Sequence, residues 1–445
     1  MKYKAYPEYK DSKVEWLGDV PARWNVLRNK QILAAKSDPV GLNSADYKLL
    51  SLTLNGVIHR DIESGRGKIP ENFDTYQKVS IGDLIFCLFD MDETPRTIGI
   101  SSLNGMITGA YSVYFCNKRA FNKYIYYYYL HIDSFKGLRP FYTGLRKVVR
   151  PENFQNIKLA LPNINEQQYI ANFLDQETAK IDQLIAKQER LIELLKEKRQ
   201  TAISHAVTKG LNPDVKMKDS GVDWLGEVPE HWGVMQLRRY VKHIEQGKSP
   251  ECEARLADDN EWAVLKSGCV NGGVFRQNEH KALPFNIKPH TEYEVKVGDL
   301  LMSRASGSVD LIGSVAFVET CREKLLLSDK VFRIILSKDM LPEYFSIIMK
   351  SDSIRNQIKL AINGAEGLAN NITKEAIKSF FTTSPPISEQ VDILRFIKQR
   401  MSILEKIDAK LIQSLHLLKE RRSALISAAV TGKIDVRDRK PKDNA

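Results

Sequence analysis

The chain has 445 residues, 43% of them hydrophobic and 27% charged, and 66 Lys and Arg against 55 Asp and Glu give a formal net charge of +11. That is too long for one ordinary domain, and the lack of any apolar run near the roughly 18 residues that span a bilayer excludes a membrane-spanning helix. Five cysteines (Cys87, Cys116, Cys252, Cys269, Cys321) with no CxxC spacing exclude a disulfide framework and a structural zinc site, and the basic surplus is compatible with nucleic acid.

In chain order, residues 1–24 form a frame that holds Lys10-Asp11-Ser12, Trp16-Leu17-Gly18-Asp19-Val20-Pro21 and Trp24, and no signal-peptide core follows Met1-Lys2-Tyr3-Lys4. The frame is too short to fold alone, so its tryptophans are read as anchors on something larger. Residues 25–162 contain the strand-like run Val79-Ser80-Ile81-Gly82-Asp83-Leu84-Ile85-Phe86 and at least one helix, which predicts an α/β globule. Over 163–209, Leu174, Ile181, Gln188, Leu195 and Ala202 recur every seven residues with Ile185, Leu191 and Ile192 beside them. This is the seam of a coiled coil, stopped by Gly210-Leu211-Asn212-Pro213.

The frame then returns. Within 210–232, Lys218-Asp219-Ser220, Trp224-Leu225-Gly226-Glu227-Val228-Pro229 and Trp232 repeat the opening at a shift of 208. A second middle, 233–385, has its own Gly-Asp run, Val295-Lys296-Val297-Gly298-Asp299-Leu300-Leu301-Met302. A second long helix, 386–431, carries Ile397, Leu404, Leu411, Leu418 and Leu425, flanked by Ile393, Met401, Ile407 and Leu415, and Thr431-Gly432 stops it. The tail, 432–445, is charged and bears a proline.

Pro162-Asn163-Ile164-Asn165-Glu166-Gln167 returns as Pro385-Pro386-Ile387-Ser388-Glu389-Gln390 at a shift of 223, so the second middle is the longer by 15 residues. The plan is a fixed frame around a variable middle, written twice. The predicted fold class is α/β, with two α/β globules joined by two long helices that pair as an antiparallel coiled coil in a pseudo-two-fold internal repeat. Parallel pairing would crowd both globules at one end and make the second middle run the rod's full length.

The frame Ser220-Gly221-Val222-Asp223-Trp224-Leu225-Gly226-Glu227-Val228-Pro229-Glu230-His231-Trp232 resembles the signature of the specificity (S, HsdS) subunit of type I restriction-modification systems. So does Pro-x-x-x-Glu-Gln leading into a long helix that ends Ala206-Val207-Thr208-Lys209-Gly210-Leu211-Asn212-Pro213. The resemblance covers the whole chain in the expected order. It implies that the middles are target recognition domains, each reading one half of a split, asymmetric double-stranded DNA site. It also implies that the helices set the spacer and dock two methyltransferase (HsdM) subunits, with restriction (HsdR) subunits joining through the complex. S-adenosylmethionine is then expected in the methyltransferase partner, no cofactor on this chain, and a prokaryotic cytoplasm as the location.

Basic and amide side chains in loops are the candidates for DNA contact, since Arg suits guanine and Asn suits adenine in the major groove. In the first middle these are Arg60, Arg66 and Lys68 around Ser64-Gly65-Arg66-Gly67; Thr94 and Arg96 after the Gly-Asp strand; and Arg139, Arg146, Lys147 and Arg150 around Tyr142-Thr143-Gly144. In the second they are Lys248, Lys266, Ser303, Arg304, Ser306, Ser308, Asn363, Asn370, Asn371 and Lys374. Ser303-Arg304 resembles the family's usual Ser-Arg at this point, and the first middle departs from it with Cys87-Leu88.

Other features read as structure. The run Tyr124-Ile125-Tyr126-Tyr127-Tyr128-Tyr129 looks like a base-stacking platform. Its counterpart Tyr344-Phe345-Ser346-Ile347-Ile348-Met349 is largely aliphatic, which favours a buried helix face. The eight histidines stand singly, with no metal spacing. Ser384-Pro385-Pro386-Ile387 lacks the amide or acid and the aromatic of an amino-methyltransferase motif, and no P-loop or nuclease cluster accompanies it. A coiled-coil scaffold that binds proteins, or an orphan specificity subunit without an active partner, are the competing readings; steep loss of DNA affinity with salt separates the first from a DNA reader.

Overall fold

A computed structural model describes residues 3–60, 72–362 and 370–437. It combines short antiparallel sheets with helices α1 (Asn122–Ser134), α2 (Pro151–Asn156), α3 (Ile164–Lys209), α4 (Pro342–Ile348), α5 (Asp352–Ala361), α6 (Lys374–Ser379) and α7 (Ile387–Val430). Two of these, α3 with 46 residues and α7 with 44, are far longer than the rest. The chain divides into two compact units, residues 1–189 with 412–445, and residues 190–411. The division falls inside both long helices and so cuts across the linear order of frame, globule and helix.

In unit 1 the frame is a strand pair, Tyr9–Asp11 against Asp19–Pro21. Asn25–Arg28 pairs with Lys158–Leu161, which ties the start of the middle to its end. Between them lies a four-stranded antiparallel sheet in the order Leu33–Lys36, Ser112–Cys116, Leu84–Phe86, Ile98–Ile100. The Gly-Asp motif precedes its strand: Gly82 has φ +91°, and Asp83 accepts from the Ser80 N–H (2.8 Å) and pairs with Lys36 (2.8 Å) of the sheet's edge strand. Unit 2 repeats this. Val295 and Val297 are not strand, Gly298 has φ +95°, and Asp299 accepts from the Lys296 N–H (2.9 Å) and pairs with Arg333 (3.2 Å).

Helix α1 lays Tyr124, Ile125, Tyr127, Tyr128 and Tyr129 into the unit 1 core. The hydroxyls are bonded inside it: Tyr124 Oη donates to Ala160 O (3.2 Å) and Val430 O (3.1 Å), and Tyr127 Oη to Asp175 (2.7 Å). Phe86, Tyr129 and Phe154 meet edge-on or tilted within 5.6 Å, a favourable arrangement of ring quadrupoles. The tyrosine run is therefore core.

His131, near the end of α1, has an Nδ1 with no hydrogen-bond partner. Burial, with Lys433 nearby, pushes its imidazole pKa down to about 4. Because the folded value lies below the unfolded one, the unfolded chain binds the extra proton, and unit 1 loses stability as pH falls from about 6.5 towards 4. The site is only partly enclosed, so the expected loss between pH 7 and pH 5 is on the order of 1 kcal/mol. Denaturant titration of His131→Phe at both pH values should show that loss abolished; an unchanged pH dependence would assign it elsewhere.

Unit 2 repeats the plan. Met217–Asp219 pairs with Glu227–Pro229, Gly233–Gln236 with Phe381–Ser384, and a four-stranded sheet runs Val241–Gln246, Val331–Leu336, Leu300–Ser303, Val315–Phe317. An added three-stranded sheet sets Ala263–Leu265 antiparallel to His280–Ala282 and parallel to Leu325–Leu326. Beside it Arg322 donates to the carbonyls of Ala257 (3.0 Å), Asp258 (2.7 Å) and Glu261 (3.0 Å), and Arg255 forks onto Glu261 (2.6 and 2.8 Å). Much of the positive charge here holds loops together.

The repeated motifs recur as repeated bonds. Trp24 Nε1 donates to Glu166 (3.0 Å) and Trp232 Nε1 to Glu389 (2.9 Å). Gln167 Oε1 accepts from the Phe121 N–H (2.8 Å) while its amide donates to Arg119 O and Pro162 O (both 3.0 Å). Gln390 does the same with the Leu341 N–H (3.0 Å), Asp339 O (2.9 Å) and Pro385 O (3.1 Å). The Glu-Gln pair is thus the joint between frame, middle and helix in each unit. Only one tryptophan of each frame is an anchor: Trp24 and Trp232 are fully buried, whereas Trp16 and Trp224 are exposed.

Within unit 1 the α3 and α7 segments meet through Asp182–Arg422 (2.7 Å), Gln188–Ser414 (3.2 Å) and Glu189–Lys419 (3.2 Å). Within unit 2 they meet through Arg199–Asp408 (3.5 Å) and in a core that joins Ile203, Ala206 and Val207 to Ile393 and Ile397. From Asp182 to Glu189 in unit 1 the partner falls from Arg422 to Lys419, and in unit 2 Arg199 meets Asp408 while Ile203 to Val207 share a core with Ile393 and Ile397, so the segments run in opposite directions where they touch. Leu174, Ile181, Ile397, Leu404 and Leu425 are buried; Gln188, Leu195, Ala202, Leu411 and Leu418 are half-buried. The flanking stripe departs from expectation: Leu191 and Ile407 face solvent. Gly210 (φ +77°) and Gly432 (φ +73°) take the left-handed conformation just past the helix ends.

Candidate nucleic-acid interface

In unit 1 the segment after the strand Leu84–Phe86 lies against a hairpin, Tyr142–Thr143 with Val148–Val149. The Val149 N–H donates to Leu88 O (2.9 Å) and the Asp90 N–H to Arg146 O (2.8 Å). Thr94, Arg139, Arg146 and Lys147 are gathered here, and the three cations are matched by carboxylates. Arg146 pairs with Asp90 (2.6 Å), Arg139 with Asp92 (3.2 Å), and Lys147 with Asp92 (3.1 Å) and Glu93 (2.7 Å). Hydrogen bonds from Arg146 hold the Asp90 carboxyl below its usual pKa; Lys147, then Arg139, does this for Asp92, and Lys147 for Glu93. Phe89 stacks on Tyr111 (6.0 Å), with the Arg146 guanidinium 5.3 Å from the Phe89 ring centre.

The remaining unit 1 candidates are more dispersed. Arg96 reaches Tyr126 Oη (3.4 Å), Arg150 is exposed just before α2, and the Arg60 N–H donates to Leu49 O (2.9 Å). Arg66 and Lys68 lie outside the described residues, as does Asn363.

Unit 2 builds the same surface from different side chains. Ala305–Ser306 pairs with Asn370–Asn371, and the Ile372 N–H donates to Arg304 O (3.1 Å) as Val149 does to Leu88. Arg304, Ser306, Asn370, Asn371 and Lys374 are brought together, with Arg304 Nη1 on Asp329 O (3.3 Å) and Lys374 Nζ 5.8 Å from the centre of the Phe332 ring. Asp329 is held by Ser249 and Lys330. Ser303 corrects an expectation: it points into the core from the strand, fully buried, with Oγ 3.5 Å from Ala305 O, and has no surface to offer DNA. Ser308 and Lys248 are exposed, and Lys266 is half-buried beside the three-stranded sheet.

Phe89, Tyr111, Asp90, Asp92, Glu93 and Asp329 were missed from sequence. The acids left one signal, three carboxylates within Asp90-Met91-Asp92-Glu93 directly after a strand. Among the described residues no group of three or more His, Cys, Asp or Glu is placed to hold a metal ion, and no helix is long and apolar enough to cross a membrane. Burial pushes the Cys116 and Cys269 thiols up to about 12, away from nucleophilic use.

A solved chain, reported for complex assembly and conformational transition of the type I R-M system, matches with a TM-score of 0.66 at 13% identity, over 92% of this chain and 98% of that one. A family model described as the type I restriction modification DNA specificity domain matches residues 97–194. The chain is 26% identical over 293 residues to the type I restriction enzyme EcoKI specificity subunit of Escherichia coli K12, covering 64% of this chain. It spans 60% of the length of that relative. A Methanocaldococcus jannaschii protein provisionally named the type I restriction enzyme MjaX specificity subunit is 24% identical over 462 residues, 97% of this chain and 98% of that one. The family model and these relatives make the chain similar to specificity subunits of type I restriction-modification systems.

Proposed function

We propose that the chain reads a bipartite, asymmetric double-stranded DNA site, each unit recognising one half, within a complex whose methyltransferase and restriction subunits supply the catalysis. The observation that carries this is the repeated construction of the two surfaces. The same backbone bond, Val149 to Leu88 and Ile372 to Arg304, fixes a loop against a strand or hairpin, while the side chains displayed there differ completely. A constant frame with variable contacts suits two readers of unlike sequence, with phosphate contacts setting register and base-edge contacts setting choice.

In this reading α3 and α7 pair along their length as an antiparallel coiled coil with pseudo-two-fold symmetry and set the spacer between the half-sites. The opposed contact pairs within each unit and the seven-residue seam support it. Exposed apolar side chains on the helices, Leu184, Ile412 and Leu417 in unit 1 and Leu191, Leu194, Ile403 and Ile407 in unit 2, suit docking of two methyltransferase subunits. S-adenosylmethionine belongs to those partners in this scheme, and a prokaryotic cytoplasm is the compartment.

The test is a base-resolution methylome of the source cells with and without the gene. Loss on deletion of a split motif with unlike halves is expected. An unchanged methylome would leave the chain as an orphan subunit or a scaffold.

A further inference from the structure

The hairpin beside the unit 1 loop ends in an unsupported apolar side chain. Leu145 is fully exposed at the turn between Thr143 and Val148, preceded by Gly144 and followed by Arg146 and Lys147. Single exposed leucines are ordinary on protein surfaces, and Leu42, Phe285 and Leu360 are also largely exposed. None of those three lies in a hairpin turn; Leu54, which does, between Leu50–Thr53 and Gly56–His59, is less exposed and has no cation beside it in the turn.

The turn is held unusually firmly for so small a hairpin. Thr143 Oγ1 donates to Val148 O (3.0 Å), and the Lys147 N–H donates to Gly144 O (3.1 Å). Gly144 (φ +69°) and Lys147 (φ +47°) both take the left-handed conformation, as does Asp90 (φ +46°) on the facing loop. That conformation is uncommon for Lys147 and more readily adopted by Asp90. Ion pairs of Arg146 and Lys147 with Asp90, Asp92 and Glu93 join the hairpin to the facing loop. The carboxylates therefore fix the hairpin at its base and leave the leucine free at its tip.

We infer that Leu145 is an apolar wedge of unit 1 that contacts the bases at one step of the first half-site, and that Asp90, Asp92 and Glu93 position it. The inference rests on the DNA-reading function proposed above. An exposed leucine gains nothing in the free chain. Against a duplex, a rigid apolar tip between cations can press on a thymine methyl or part a base step while its neighbours meet phosphate. Gly144-Leu145 recurs in sequence as Gly367-Leu368 at the 223-residue shift that relates the two Glu-Gln motifs. Those second-copy residues lie outside the described part of the chain.

The experiment is selection from a pool of random-sequence duplexes by the full chain, wild type against Leu145→Ala, followed by titration of the enriched motif at several salt concentrations. The wild type should enrich a split motif. Leu145→Ala should keep one half intact, lose preference at one or two adjacent positions of the other, and bind the wild-type motif about tenfold more weakly. Its salt slope should match the wild type, because no charge is removed, and Leu145→Met should restore most of the loss. Arg146→Ala, in contrast, should flatten the slope by about 0.9 if it gives up one phosphate. An identical motif and an equal Kd for Leu145→Ala would overturn the wedge and leave the DNA reading standing. Equal weakening on specific and random DNA would also overturn it. No enriched motif for the wild type would overturn the DNA reading, and the wedge with it.

Discussion

Alanine at Trp24 is expected to cost unit 1 roughly 4 kcal/mol, the loss typical of a large buried aromatic, and alanine at Trp232 a similar amount in unit 2. Both indoles are fully buried. Trp24 meets Tyr6 edge-on at 5.7 Å, and both donate to Glu166, Tyr6 at 2.7 Å. Removing the indole opens a cavity and takes one of two donors from a carboxylate that is itself buried, which adds a desolvation cost. Trp232 is the instructive comparison: Glu166 is buried, whereas the Glu389 side chain is 36% exposed and meets His231 at 2.7 Å at the surface, so Glu389 should tolerate the loss better. Phenylalanine at either position should recover most of the packing but not the N–H bond, leaving a deficit of about 1–2 kcal/mol. Trp16→Ala and Trp224→Ala, at exposed positions, should stay within about 0.5 kcal/mol of wild type. Denaturant titration of the six variants is the measurement; a Trp24→Ala chain as stable as Trp16→Ala would mean that the frame is not an anchor.

Helix and frame were legible in the sequence because both are written in local or periodic signals. A seven-residue apolar repeat that stops at a glycine is enough to place Ile164–Lys209. The tyrosine run could be assigned to the core from its own second copy. What could not be read depends on partners distant in sequence. Arg146 and Asp90 are 56 residues apart, and nothing about Arg146 alone distinguishes a cation waiting for phosphate from one already paired. Ser303 has the composition of a contact residue, yet the alternation of its strand turns it inward, a matter of register that one residue's identity does not carry. Nor did the order of segments indicate that the last part of α7 packs in the first unit. Leu425, Ile426, Ala429 and Val430 fill the core that also holds Trp24 and Tyr124.

Matched insertions of seven residues after Gln188 in α3 and beside Ser414 in α7 are expected to lengthen the spacer of the methylated motif while leaving both half-sites unchanged. Seven residues add about 10.5 Å of helix, or about three base pairs at 3.4 Å each, and turn the apolar stripe by only about 20°. Both helices must be extended because Gln188 bonds Ser414, Glu189 meets Lys419 and Asp182 meets Arg422; lengthening one alone would slide these pairs out of step. A single-residue insertion is the opposing control. It turns everything beyond it by about 100°, carries Leu174 and Ile181 off the seam or Leu195 and Ala202 off theirs, and should abolish methylation. The readout is the methylome of cells carrying each variant. A longer spacer between intact halves would make the helix pair the ruler, with the globules acting as independent readers. Intact halves at the original spacing would mean that the separation is set elsewhere, by contacts of the globules or by the partner subunits.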